Sequence, residues 1–449
     1  MPLRSLTFLL FFAGSLAASL VYPMAGVICY LVLYHVYPET TWWGKSLAFL
    51  QLRYAFICGL LLSVGATLNM NRLKFGRHFV LPVEVGMLLV FQCIVMSTAT
   101  GAGWHGRTEE FLDKMAKVFV FVFLMSHVAV TRQRLWHLAL TLTFMALYLG
   151  HEAHVAPRGA FEGNRLNGIG GPDFRDSNGL SIHLCALLPF ILVVFRQKGI
   201  FYKVLGFLAG GYTVNAIILC RTRSVAVAGA AVALLSIVYA PRRHRWRIMA
   251  VLCVGLAGVT YLSDASYWER VSTIVKTGEQ TDVSINKRLI IWAGAYRMIK
   301  DHPLGVGVGH FQDQIARYTT ESGIERRDAH NSYLVCAAET GIHGLIIYLA
   351  TLGIAWASLG RSARLVRKHI NDRSLFELMI FASRASMFVY AVAGMFSSRF
   401  YTEGQWFLVA MTACLARAVE NEVRAVDAQP FIMADLAPSY AESPEVVPA

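Results

Sequence analysis

The chain has 449 residues, of which 56% are hydrophobic and only 15% charged, a balance too apolar for a pair of soluble domains. Its formal net charge is +13, but much of the excess lies in short clusters between apolar runs. That distribution argues against a nucleic-acid surface and for membrane topology.

In chain order, Arg4 precedes an apolar run that continues past any small-residue cleavage site for a full span. It reads as a retained first helix, bent near Pro23, rather than a signal peptide. Windows of roughly 17 to 25 residues, enough to cross the hydrocarbon core, recur over residues 6–34, 47–67, 79–98, 115–130, 136–150, 179–195, 204–220, 224–240, 248–262, 332–359, 375–396 and 404–420. The expected fold class is therefore an all-α polytopic membrane protein with about twelve transmembrane helices. Short basic links follow alternate spans: Arg72, Lys74 and Arg77; Arg132 and Arg134; Arg196, Lys198 and Lys203; Arg242, Arg243, Arg245 and Arg247; Arg361, Arg364, Arg367, Lys368 and Arg373. The positive-inside rule puts these links, and both termini, in the cytoplasm.

The expected organisation is transmembrane helices over 1–262, a partly helical periplasmic cap over 263–331, more helices over 332–420, and a cytoplasmic tail over 421–449. The tail lacks periodicity and reads as disordered. The cap contains "SINKRLIIWAGAYRMIKDHP", a helical stretch ended by Pro303 and the glycines of "PLGVGVGHF". The eight cysteines are scattered singly and read as buried free thiols.

Outside loops have no topological need for arginine, yet Arg158, Arg165, Arg175, Arg221, Arg223, Arg288, Arg326, Arg327 and Arg399 all fall there. Some can pair with loop acids such as Asp173, Asp176 and Asp328. Arg221 and Arg223 resist that reading, because "LCRTRSV" joins two hydrophobic helices with almost no loop. A guanidinium is a planar fork of donors that matches phosphate and stays charged when partly dehydrated, so a lipid-linked pyrophosphate would suit these side chains.

His330 stands at the outer start of a helix, where an imidazole can hold or take a proton or simply cap the helix, and Asn331 lies beside it. Glu339 and His343 are one helical turn apart and can hydrogen-bond to each other. At 100° per residue, Glu339 falls opposite His330 if the helix is already regular there. Ala337, Gly341 and Gly344 read as a close-packing stripe. Arg384, in mid-span, needs an interior partner or a cavity. "HEAH" at His151–His154 lacks one residue of the H-E-x-x-H zinc spacing, so no metal site is expected, and "GVGVGHF" follows no strand and reads as a turn rather than a nucleotide loop.

Three motifs in order carry a family resemblance, broadest from about 160 to 360. These are "GNRLNGIGGPDFRDSNGLSIHLCALLP", with Asp176, Asn178 and Leu180; "RTRSV", with Arg223; and "NKRLIIWAGAYRMIKDHPLGVGVGHF" followed by "AHNSYL" and "ETGIHG", with Arg288, Trp292, His330 and Asn331. Together they resemble the O-antigen ligase and O-antigen polymerase superfamily, including the O-glycosylation ligases that accompany exosortase systems. In "RTRSV", Thr222 and Ser224 replace the family's usual serine and glycine.

The resemblance implies a bacterial inner-membrane glycosyltransferase with its site at the periplasmic face. It would take a glycan from a polyprenyl pyrophosphate and pass it, with inversion and without a metal or other cofactor, to a hydroxyl of a lipid A-core, glycan or protein acceptor. Arg223 and Arg288 would clamp the pyrophosphate, with Arg221 and Arg175 supporting. His330 would act as base or orienting group, and Asn331 would position it or a phosphate oxygen. The alternatives are a polysaccharide polymerase, with the same chemistry on another acceptor, and a secondary transporter of an anionic lipid or sugar. A transporter would show inverted repeats and charge at midplane.

Overall fold

The protein is described from a computed structural model, which covers residues 2–73, 78–104, 106–239, 245–263, 268, 283–319 and 326–435. Much of the expected cap, parts of two basic links and the last residues of the tail lie outside these. The described chain is a helical bundle with one two-stranded hairpin, and it is a multi-pass membrane protein. Six of its helices are long and apolar enough to cross a membrane, or seven if the bent pair Gly44–Leu50 and Tyr54–Leu68 counts as one span. The expected twelve spans are thus not reached on length and composition alone.

The expected single first span, bent near Pro23, is instead two helices, α1 (Leu3–Val21) and α2 (Pro23–Val36), that fold back on each other. Proline has no N–H to continue α1 but suits the first turn of α2. Ser5 Oγ donates to Trp43 O at 2.8 Å, just beyond the end of α2, and Asn69 Nδ2 donates to Leu20 O at 2.7 Å at the other end. Arg134 lies over the Tyr22 ring at that second end, 5.4 Å from its centroid. Ser5 and Glu422 therefore sit at opposite ends of the bundle, Glu422 lying 3.9 Å from Arg132. The sequence reading had put both termini at one end.

After α3 (Tyr54–Leu68), the helices α4 (Pro82–Thr100), α5 (Gly106–Val128) and α6 (Arg132–His154) lead to α7 (Ser177–Phe195). Nearly all of α7 is buried among its neighbours, so it is the axis of the bundle. Next come α8 (Ile200–Cys220), α9 (Arg223–Tyr239) and α10 (Arg245–Leu262), then α11 (Val283–Asp301), the helix expected in the cap. The chain closes with α12 (Ser332–His369), α13 (Ser374–Ala393) and α14 (Glu403–Asp435), the last running well past 421, where periodicity had suggested a tail.

One buried ionic knot locks α14 to α4 and α5. Arg417 is wholly buried and grips Glu84 with two hydrogen bonds of 2.6 Å, and it also donates to Ser126 O at 3.1 Å and Phe79 O at 2.6 Å. A charge survives in such a place only when fully paired. Arg384, which the sequence marks as the intramembrane charge, lies instead over the Trp356 ring, 5.6 Å from its centroid.

Candidate active site

The site begins where the chain enters α12. Asn331 is the N-cap: its Oδ1 accepts from Tyr333 N at 3.0 Å and Leu334 N at 3.1 Å. Its side-chain oxygen thus satisfies two orphan amides of the helix start. Directly before it, His330 adopts φ +48°, a left-handed conformation that is uncommon outside glycine and turns the ring away from the helix line.

Three contacts hold this strained corner. Ser398 Oγ donates to Asp328 Oδ1 at 2.9 Å, and His330 N donates to Asp328 Oδ2 at 3.3 Å. Trp292 Nε1 donates to Ala329 O at 2.8 Å. His330 Nδ1 lies 3.4 Å from Asp328 Oδ2. Asp328 is therefore an anchored partner of the imidazole, not the solvated loop end its neighbours Arg326 and Arg327 suggest.

Arg288 sits one helical turn before Trp292 on α11 and so on the same face. The Arg288 charge acts on both His330 and Arg165. Arg165 follows a two-residue turn, Gly163–Asn164, with φ +53° and +61°, the left-handed pair that closes a tight hairpin. Its guanidinium reaches Cys220 O and Asn178 Oδ1, each at 3.4 Å. That places it where α8 ends, α7 begins and Arg223 opens α9. Burial holds the Arg165 pKa below its ordinary value; Cys220 and Asp176 oppose that shift, and the charges of Arg223 and Arg288 add to it. Arg165 is thus within electrostatic reach of Arg223 and Arg288 at this helix junction, and guanidinium forks are the donors that suit an anion.

Arg399 closes the other side. Its Nη2 bonds both oxygens of Asp176 at 2.7 and 2.9 Å, its Nε donates to Ser397 Oγ at 2.9 Å, and the side chain is buried. Asp176 also caps α7 by accepting from Gly179 N at 2.9 Å. Burial opposes its charge, yet Arg399 holds its carboxyl below the usual range. The Asp-x-Asn-x-Leu pattern acquires physical content here: Asp176 caps and pairs, Asn178 meets Arg165, and Leu180 is core.

For His330, burial lowers the pKa first, Arg288 and Arg399 lower it further, and Asp328 and Asp176 partly oppose them. The ring is thus held neutral and able to accept a proton. Arg221 ends α8 with φ +48°, next to this cluster. Arg175 is exposed, and its charge is felt at Tyr37 instead.

Glu339 corrects a geometric expectation. Because α12 starts only at Ser332 and breaks at Gly341 (φ +80°, ψ +170°), counting 100° per residue from His330 does not apply. Val306 N bonds Ala338 O at 2.8 Å, Gly307 N bonds Glu339 O at 3.1 Å, and Ile342 N bonds Pro303 O at 3.1 Å. The "PLGVGVGHF" loop thus supplies the partners the broken helix loses. The Glu339 carboxyl accepts from Tyr401 Oη at 2.6 Å and Phe311 N at 3.1 Å, not from His343. It lines the same cavity as Asp328 and Arg399.

Residues 208–349 match the family described as O-antigen ligase. This central segment is what the chain shares with the O-antigen ligase family. No curated protein matches it significantly. The segment matched to the ligase family holds Arg221, Arg223, Arg288, Asp328, His330 and Glu339, whereas Arg165, Asp176 and Arg399 reach the same site from outside it. The likeness supports an O-antigen ligase- or polymerase-type membrane enzyme. Among the described residues, no three of His, Cys, Asp and Glu come together as metal ligands.

Proposed function

We propose that the enzyme transfers a glycan from a polyprenyl-pyrophosphate donor to an acceptor hydroxyl at the periplasmic face of the inner membrane, with inversion. The observation that carries this reading is the bond from Trp292 Nε1 to Ala329 O at 2.8 Å, which sets α11, with Arg288 one turn earlier, against the segment where His330 pairs with Asp328 at 3.4 Å. With Nδ1 turned to Asp328, the His330 Nε2 is left to take the acceptor's proton.

In the proposed step the acceptor oxygen attacks the anomeric carbon from the face opposite the leaving group. The bond from that carbon to the phosphate oxygen breaks, His330 receives the hydroxyl proton, and polyprenyl pyrophosphate departs with the bonding pair. Arg165, Arg223 and Arg288 stabilise the charge that builds on the pyrophosphate, the role that positioned cations fill in such transition states. A single displacement of this kind inverts the anomeric configuration and needs no protein nucleophile.

The test is transfer by the purified full chain supplied with a polyprenyl-pyrophosphate glycan and candidate acceptors, with a chelator present. Product from the wild type and none from His330→Ala is expected, whereas normal glycan attachment by His330→Ala would remove the catalytic role. Ligase and polymerase separate on a glycan ladder: loss of attachment with long lipid-linked polymer retained means ligase, and loss of polymer length means polymerase.

A further inference from the structure

A cavity of about 330 Å³ opens beside Asp328 and Arg399, between the first turns of α5, the glycine loop before Phe311, and the 398–402 segment. The transferase reading above assigns it no task. Its size lies at the low end of the ~300–1,000 Å³ typical of small-molecule sites. We infer that it is a saccharide subsite that receives one pyranose ring of the glycan, and this inference rests on the transferase reading of the adjoining His330.

Two features of its wall select that chemistry. The first is aromatic: the rings of Phe111 and Tyr401 stack on each other, with centroids 4.6 Å apart and planes 22° apart, and both line the cavity. The second is a set of hydrogen-bond acceptors. The carboxyl groups of Glu110, Asp328 and Glu339 all line it, and a carboxyl oxygen keeps a second lone pair after one hydrogen bond. Glu339 is fixed by Tyr401 and Phe311 N within the broken helix, so its direction is set before any ligand arrives.

Three bases line the wall. Lys114 pairs with Asp173, Arg399 pairs with Asp176, and Arg107 donates to Gln312 Oε1 at 2.9 Å. The carboxyl groups of Glu110, Asp173, Asp328 and Glu339 outnumber these bases, which disfavours an anion and suits a neutral ligand rich in donors. A pyranose has that character, with hydroxyls at its edge and an apolar C–H face that lies on aromatic rings. The adjoining arginine cluster has the opposite character and suits the pyrophosphate. The ring bound here is the donor's own sugar or the acceptor's, and each places a hydroxyl-bearing carbon beside Asp328.

The experiment is saturation-transfer NMR on the purified full chain in lipid nanodiscs, with free hexoses, N-acetylhexosamines and hexuronic acids as probes. Magnetisation is expected to reach the ring protons of at least one neutral sugar. Phe111→Ala should weaken that binding about three- to tenfold, from the loss of one aromatic contact. Glu110→Gln should weaken it about tenfold, from the loss of a charged acceptor, while Arg288→Ala leaves the signal intact. No transfer to any sugar, or an unchanged signal in both pocket variants when each still elutes as a folded monodisperse protein, overturns the proposal.

Steady-state transfer assigns the source. A raised KM for the lipid-linked donor identifies the donor's sugar, a raised KM for the acceptor identifies the acceptor's, and no change in either KM counts against the subsite. The readouts fail separately. Sugar binding without glycosyl transfer sinks the transferase reading alone, and transfer with unaltered kinetics in the pocket variants sinks the subsite alone.

Discussion

His330 and Asp328 face each other with Nδ1 3.4 Å from Oδ2, and Ser398 pins the second carboxylate oxygen at 2.9 Å. A carboxylate that is itself held can fix one ring orientation, so the opposite nitrogen points where a proton is to be collected. Under the proposed mechanism, His330→Gln lowers kcat by about 10²–10⁴-fold. Asp328→Asn should lower it less, since the base survives with its aim loosened. Both variants should elute and melt like the wild type, and a Asp328→Asn enzyme with wild-type kcat would deny the pair any role.

The pH profile follows from the direction of the His330 shift. Burial first, then Arg288 and Arg399, set its pKa below the ordinary 6.5. A base must be neutral to act, so kcat/KM should be full above that lowered pKa and fall as pH drops through it. Arg288→Met removes a cation that disfavours protonation, which moves the acid limb toward higher pH. Asp328→Asn removes an anion that favours protonation and moves the limb lower. Opposite displacements in a pH–rate series would identify His330 as the titrating group, and limbs that stay put in both variants would assign the limb elsewhere.

The arginine junction makes a separate prediction about binding. Arg165 is held against Cys220 O and Asn178 Oδ1 beside Arg223 and Arg288. Arg165→Ala should raise the donor KM about tenfold or more, the scale of one lost charge-assisted contact. Arg165→Lys should recover only part of this, because an ammonium lacks the guanidinium fork. Kinetics against donor concentration at two salt strengths would show it. An unchanged donor KM with an altered acceptor KM would place the pyrophosphate elsewhere.

What could be read from the sequence divides along physical lines. Hydrophobic runs and basic links reveal the helical membrane class, and the Arg288-to-His330 stretch falls within the segment matched to the ligase family. Contacts distant along the chain could not be read. Arg399 looks like one more loop cation until it meets Asp176, 223 positions earlier. Asp328 reads as solvated because Ser398, which anchors it, is 70 residues away. The helical count for Glu339 rested on a helix regular from 330, and the helix starts only at Ser332 and breaks at Gly341. Arg417 was passed over because "ARAVENEVR" resembles the polar end of a span, whereas its partner Glu84 lies on α4.

That buried pair predicts a stability effect independent of the site. Arg417 and Glu84 are both completely buried, joined by two hydrogen bonds of 2.6 Å. Removing one partner strands the other in a medium that cannot solvate it. Glu84→Gln or Arg417→Met should each cost about 3–5 kcal/mol. The double variant should cost less than the sum, since neither charge is then left alone. Thermal unfolding in detergent can measure the cycle, and strictly additive losses would show that the two side chains do not depend on each other.

The glycine loop over the broken helix yields the last prediction. Gly305 has φ +92°, and a Cβ there would fall 2.4 Å from Glu339 O and 2.7 Å from Gly341 N. Both obstacles are backbone and cannot rotate aside. Gly305→Ala must therefore push the loop off α12, straining the bonds from Val306 N and Gly307 N to Ala338 O and Glu339 O. Gly103 supplies the control: its φ is +108°, but nothing lies within 4 Å of the added carbon. Gly103→Ala then carries only the conformational cost, about 1–2 kcal/mol. Gly305→Ala should exceed it in unfolding experiments and should also slow transfer, because the Glu339 carboxyl moves with the loop. Equal losses in the two variants would mean that backbone conformation alone, and not the packing of the loop on the helix break, sets the need for glycine.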